Sequence, residues 1–246
     1  MRIVLPPSET KRDGGAEGSA LALESLSFPA LTTQRTAAIA ALTRVSRNVS
    51  ASTAALGLGP TQRFEIDRNR AIRTAVTMPA IDRYTGVLFE GLASETLDAD
   101  AHAWLARHVV VHSALFGLIG AADAIPAYRL SHDSRVPGLV LRKHWASAVA
   151  AELAAVDGLV LDLRSEAYAH LGPRPQGSFY LRVVTDGPSG QKRALNHFNK
   201  KGKGEFVREL ALGGADHADV DGLLRWAAER DIRLAHGKPG ELELTV

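Results

Sequence analysis

The run Lys200-Lys201-Gly202-Lys203-Gly204 sets three ammonium groups and two glycines within five residues. Charges so close attract anions, and glycine lets backbone amides approach a ligand that a side chain would hold off. The run lies between an apolar, strand-like stretch and an amphipathic helix. The expectation is a glycine-jointed loop at a helix entrance, where the helix dipole also favours anions. A solvated surface loop is the alternative. The pattern Gly-x-x-x-x-Gly-Lys-Ser/Thr is absent, so phosphate-loop ATPase chemistry has no support.

Three other groups could share such a site. Ser8-Glu9-Thr10-Lys11 directly follows an apolar strand signal, and polar residues at a strand's carboxyl end often line a crevice. Tyr128-Arg129 combines a hydroxyl on an apolar body with a planar fork for phosphate or carboxylate. Ser165-Glu166-Ala-Tyr168 places a carboxylate beside hydroxyls, suited to a general base, a metal ligand or the partner of a buried lysine. Each has a structural alternative: a capped loop for the first, an internal ion pair for the second, and for the third a helix entrance with Ser165 as cap. The catalytic candidates are therefore Glu166, Ser8, Lys11 and Tyr128.

Residues 56–70 contain Leu-Gly-Leu-Gly-Pro between two helical patterns. A helix, a glycine hairpin and a second helix would aim amides and Arg63, Arg68 or Arg70 at a phosphate backbone with little sequence preference. A plain helical core element is the competing reading, and Glu65 and Asp67 dilute the charge. The nine histidines are scattered. His112, on an apolar run, reads as a packed core residue, and no metal set or Gly-x-Ser-x-Gly elbow appears. No cofactor is expected.

These residues need elements to position them. Residues 2–5, 109–113, 159–163, 179–185, 193–198 and 241–246 read as strands, with a turn expected around Asp186-Gly187. Residues 31–55, about 60–72, 98–107, 142–155, 206–212 and 220–229 read as helices. Strands and helices mix without regular alternation, which favours α+β over a doubly wound sheet.

The chain has 246 residues, with 46% hydrophobic and 23% charged residues, enough for a buried core. Lys+Arg is 29 against Asp+Glu at 27, which excludes a histone-like polycation and confines any nucleic-acid site to local clusters. The absence of cysteine removes disulfides, thiolate zinc sites and cysteine nucleophiles. The opening apolar run is too short for a signal peptide, and no stretch reaches membrane-spanning length, so the expected location is cytoplasmic, with no membrane partner.

Taken together, the blocks resemble the YaaA family of bacterial peroxide-stress proteins. The matching residues are Pro7-Ser8-Glu9-Thr10-Lys11, Tyr84-Thr85-Gly86, Ser113-Ala-Leu-Phe-Gly117 and Pro126-Ala-Tyr128-Arg129-Leu130. Trp145, Leu163, Ser165-Glu166, Tyr168 and Lys200–Gly204 complete the series, which covers nearly the whole chain. The resemblance implies a single α+β domain over residues 1–246, of irregular mixed-sheet topology with surrounding helices. It implies a helix–hairpin–helix element at about 40–72, duplex DNA binding through a basic cleft, and a part in limiting intracellular iron. Arg63, Arg68, Arg129, Lys200, Lys201 and Lys203 are then the anion-binding candidates, and Ser8, Glu9, Tyr84, Tyr128, Ser165, Glu166 and Tyr168 the cleft lining. The family's opening looks like Ser-Pro-Ala-Lys-Thr, so Glu9 is a departure. The second function in view is an enzyme acting on a small nucleotide-like or phosphorylated anion around Glu166, Tyr128, Arg129 and Lys200.

Overall fold

The computed structural model describes residues 1–186, 192–193 and 196–246. Strand β1 (Arg2–Leu5) is followed by helices α1 (Thr32–Val45), α2 (Val49–Leu56) and α3 (Phe64–Arg70). Then come β2 (Met78–Pro79), α4 (Ala80–Arg83), α5 (Val87–Leu92) and α6 (Ala99–His108). The middle of the chain holds β3 (Val109–Ser113), β4 (Gly117–Gly120), β5 (Ala124–Ile125), α7 (Leu141–Ala154), β6 (Val160–Asp162) and α8 (Glu166–Ala169). The last third holds β7 (Phe179–Asp186), β8 (Lys192–Arg193), α9 (Asn196–Gly213), α10 (Val220–Ala228), β9 (Leu234–His236) and β10 (Glu241–Thr245).

Ile3, Val4 and Leu5 form an apolar run without polar alternation, and all three are fully buried. Such a strand belongs at the centre of a parallel sheet covered on both faces. β1 indeed pairs in parallel with β3 on one side and β6 on the other. The main sheet runs β4-β3-β1-β6-β7-β10-β9, with β8 paired to the end of β7. Its five central strands are parallel, while β4 and β9 close the two edges antiparallel. The product is a single α+β domain on a mixed sheet.

The sheet accounts for the Ser113–Gly117 block. Ser113 Oγ accepts the backbone N–H groups of Leu115 and Phe116, each at 3.0 Å. Gly117 turns the chain at φ +67°, and a β-carbon there would lie 2.7 Å from the Trp145 ring. Buried Arg35 donates to the carbonyls of Phe116 and Leu118 at 2.9 and 2.7 Å, so an arginine on α1 clamps the same turn.

The largest difference from expectation is α9. The lysine–glycine run lies inside this helix, not in a loop at its entrance, and residues 196–198 belong to the helix where a strand was expected. Glycine in a helix interior costs about 1 kcal/mol relative to alanine, so packing must supply the reason for two of them. A β-carbon on Gly204 would lie 1.9 Å from the Leu88 carbonyl oxygen, and one on Gly91 would lie 2.6 Å from the Lys201 carbonyl oxygen. These glycines let the backbones of α5 and α9 touch. Strands β2, β4, β5 and β9 were also not expected; each is only two to four residues long and carries little periodicity. The expected turn at Gly187 lies outside the described residues.

Candidate functional site

The strand order creates a crevice. From β1 the chain moves to the β3 side, while from β6 it moves to the β7 side. Loops leaving the carboxyl ends of β1 and β6 therefore diverge, and such switch points are where α/β sheets hold ligands. The first loop is 6–11 and the second is 163–165, so the Ser8–Lys11 and Ser165–Glu166 blocks flank this opening.

Lys11 is the centre of the first cluster. Its backbone bridges to Tyr84, and Thr85 N–H donates to Thr10 O at 3.2 Å, so residues 10–12 run antiparallel along residues 83–85. The Lys11 ammonium is buried. It donates to Ser8 O at 2.9 Å and Glu9 O at 3.3 Å, and lies 4.1 Å from the Tyr128 ring centroid. Burial lowers its pKa to about 7; Glu65 and Glu9 oppose that shift, while Arg129 and Arg68 reinforce it. Glu9 accepts from the Arg129 guanidinium and from Ser131 Oγ, pinning the loop over the lysine.

A chain of hydroxyls lies beside the amine. Ser113 Oγ is 2.7 Å from Tyr128 Oη, which is 2.8 Å from Tyr84 Oη. Ser113 spends both acceptor sites on backbone N–H groups, so its proton goes to Tyr128. Three hydroxyl protons then meet two hydroxyl–hydroxyl contacts. One phenolic proton is left without an acceptor among the described residues. Burial raises the pKa of both phenols, Tyr128 to about 12.

The second cluster hangs on β6 and α8. Asp162 and Arg164, both fully buried, pair at 2.7 and 2.9 Å. The same guanidinium donates to His112 Nδ1 at 2.8 Å, so this ring is the Nε2–H tautomer. Burial and the neighbouring Arg164 hold the His112 pKa well below its usual value. α8 presents Tyr168 to His132, with ring centroids 5.3 Å apart, and Glu166 to the other side. Glu166 is 73% exposed at its side chain and lies 3.8 Å from Arg182, which is held by Glu241 at 2.7 Å. These residues, with Arg142, His170, Arg174 and Tyr180, line a cleft of about 360 Å³.

The expected anion-binding residues divide. Lys203 is buried, donates to Leu163 O at 3.0 Å and lies 5.0 Å from the Tyr180 ring. Burial lowers its pKa to about 8, with Asp162 and Glu166 opposing. Lys200 and Lys201 are exposed on α9, and Lys201 pairs with Glu205 at 3.3 Å. Arg68 bonds Asp13 and Glu65, Arg129 bonds Glu9, and Arg63 is exposed. Ser8, Glu9, Tyr84 and Tyr128 surround Lys11, whereas Glu166 faces Arg182. The Tyr128–Arg129 and Glu166 groups thus stand on opposite sides of α8. Between α2 and α3, Gly57 adopts φ +61°, Leu58 N–H donates to Thr53 O, and Gly59 N–H donates to Gln62 Oε1.

Sequence reasoning passed over Asp162, Arg164, Tyr180, Arg182 and Glu241. Polar residues within strands give no period-based signal, and strand register alone brings Tyr180 opposite Glu241. Among the described residues no group of three or more His, Asp or Glu side chains is placed to hold a metal, and no helix is long and apolar enough to cross a membrane.

Comparison with known proteins agrees with the family resemblance. A UPF0246 protein of Corynebacterium efficiens is 43% identical over 86% of this chain and 85% of its own length. A UPF0246 protein of Streptomyces coelicolor is 38% identical over 100% of this chain and 98% of its own. An uncharacterised protein of Campylobacter jejuni is 27% identical over 83% and 82%. The family model described as peroxide stress protein YaaA matches residues 1–229, and the chain belongs to that family.

Proposed function

We propose that this peroxide-stress family member binds duplex DNA, with little sequence preference, through the helical module formed by α1, α2 and α3, and so helps limit oxidative DNA damage and the free iron that drives it. The distribution of charge carries the reading. Residues 32–75 hold seven arginines against two acids, Glu65 and Asp67. Taken from chain totals of 29 and 27, this leaves twenty-two Lys+Arg against twenty-five Asp+Glu elsewhere. The whole positive excess therefore lies in one segment, and Arg44, Arg47, Arg63, Arg70 and Arg73 are exposed on it. Phe64, 51% exposed beside Arg63, adds an apolar contact at the glycine hairpin. The hairpin amides of Leu58 and Gly59 are engaged internally, so the phosphate contacts of this helix–hairpin–helix-like element fall to the arginines. The test is fluorescence anisotropy with a short duplex across a salt series. Each of Arg47→Ala and Arg63→Ala should lower the salt slope by about one. No binding at low salt, or a slope untouched by both changes, would overturn the reading.

A second reading, a small anionic substrate, is favoured by the cleft at Glu166. Arg142 there has no partner among the described residues, and Arg174 and Arg182 line the same wall. Thermal-shift screening against nucleoside monophosphates should raise Tm in wild type and not in Arg142→Ala; a flat screen removes it.

A further inference from the structure

We propose that Arg129 and Ser131 form a seat for a phosphate monoester, which the Glu9 carboxylate fills in this structure and yields to the ligand. The guanidinium carries the inference. Two other arginine–carboxylate pairs of the chain use a full edge of the fork. Arg164 Nε and Nη2 donate to Asp162 at 2.9 and 2.7 Å, and Arg182 Nε and Nη2 donate to Glu241 at 3.0 and 2.7 Å. Arg129 gives Glu9 only Nη2. Its Nε–H, on the same edge, is buried and has no partner among the described residues. The Arg129 side chain is 9% exposed, and a buried donor without an acceptor is costly. The edge is half used.

The count of oxygens selects the ligand. Arg129 holds Glu9 Oε2, and Ser131 Oγ donates to Glu9 Oε1 at 3.2 Å. The seat therefore offers three donors, Arg129 Nη2, Arg129 Nε and Ser131 Oγ, to a group with two oxygens. A second carboxylate or a phosphodiester would also present two. A phosphate monoester presents three, with nearly twice the charge. Asp133 draws on the Ser131 hydroxyl as well, so the guanidinium holds most of the ligand. Glu9 can leave without unfolding its loop. Its side chain is 53% exposed, and ion pairs open to water hold weakly. Its backbone stays, because Glu9 O accepts from Lys11 at 3.3 Å and Lys11 bridges to Tyr84. Burial lowers the Lys11 pKa and Glu9 opposes that, so the ammonium below favours an anion at the seat.

A phosphate monoester has two sources, the terminal phosphate of a DNA strand or a free sugar phosphate. The first rests on the DNA-binding reading and is favoured by position. Asn69 of α3 accepts from Arg129 N–H at 2.7 Å and donates to Arg129 O at 2.9 Å, so the seat is fixed to the arginine-bearing module.

The experiment is a thermal-shift titration with inorganic phosphate, at constant ionic strength, on wild type, Glu9→Ala and Glu9→Ala/Arg129→Lys. Removing the resident carboxylate should lower the half-saturating phosphate concentration about tenfold, and a lysine, which lacks the side-on edge, should abolish that gain. Glu9→Ala binding phosphate no tighter than wild type, or a gain that survives Arg129→Lys, overturns the proposal. Should a variant fail to fold, the wild type decides: phosphate, and not chloride, should move the Arg129 Nε–H resonance in nitrogen-15 spectra, and an unmoved resonance overturns the seat. Anisotropy of Glu9→Ala with one duplex carrying either a 5′-phosphate or a 5′-hydroxyl then distinguishes the sources. Tighter binding of the phosphorylated end assigns the DNA terminus; equal affinity, with inorganic phosphate still bound, assigns the free ester. Failure to bind either duplex removes the DNA reading and leaves the phosphate titration to judge the seat.

Discussion

Gly204→Ala tests what the glycines of α9 are for. If they admit a ligand to backbone amides, the change should weaken anion binding and leave the fold intact. The geometry predicts the reverse. The new β-carbon would lie 1.9 Å from Leu88 O and 2.8 Å from Leu92 N, whereas ordinary contact begins near 3.4 Å. Both obstacles are backbone of α5 and cannot rotate aside, so the helices must separate by about 1.5 Å. Overpacking of this kind costs about 1–3 kcal/mol, and more where the backbone must move. Alanine returns about 1 kcal/mol through helix propensity. At the upper end of that range the net loss of about 2 kcal/mol lowers Tm by roughly 4–8 °C in a chain of this size. Gly202→Ala is the control, because its neighbours are methyl groups of Val246 and Val183 at 2.9 and 3.4 Å, free to adjust. Its cost should stay within about 1 kcal/mol. Circular dichroism melting of both variants decides the matter. A Gly204→Ala protein melting within about 2 °C of wild type would refute the packing argument.

Other outcomes follow from the buried polar groups. Lys11 and Lys203 are depressed to about 7 and about 8, so the unfolded chain holds more protons from there up to its ordinary lysine range near 10.5, and stability rises with pH. In urea titrations between about pH 7.5 and 9, Lys11→Met should flatten that slope by about 1 kcal/mol per pH unit. Tyr84→Phe removes one hydroxyl contact and leaves one buried proton unspent, now on Tyr128, and should cost about 1 kcal/mol, whereas Tyr128→Phe strands its two neighbours and should cost about 1–3 kcal/mol in the same titration. Asp162→Asn leaves Arg164 buried without its counter-charge and should cost about 3–5 kcal/mol, read as a fall in Tm.

The local chemistry of the strand ends was open to reading because it is local. An apolar run closed by Pro6-Pro7 marks β1, so polar residues just after it had to lie at a carboxyl end. The same reasoning placed Ser165 and Glu166 after β6. His112 was legible as a core residue because three valines precede it on the strand. The strand order was not legible, since parallel pairing joins β1 to segments more than a hundred residues away and leaves no periodic trace. Nor was α9: two glycines and three lysines argue for a loop by propensity, and only contact with α5 outweighs that preference.

What the sequence by itself determined is the inventory: which residues could carry charge, donate a proton or close a turn, and the family to which their order belongs. The tertiary structure decided their allegiance. Burial turned Lys203 from one of three surface ammonium groups into a packed group beneath Tyr180, and it pressed Lys11 against two phenols with one proton to spare. It also drew Arg35, Arg68 and Arg129 into internal contacts while leaving Arg44, Arg47, Arg63, Arg70 and Arg73 facing water. The physical reason is that charge and hydrogen-bonding capacity belong to residue types, whereas desolvation and the partner each group meets depend on distances that only the packed chain sets.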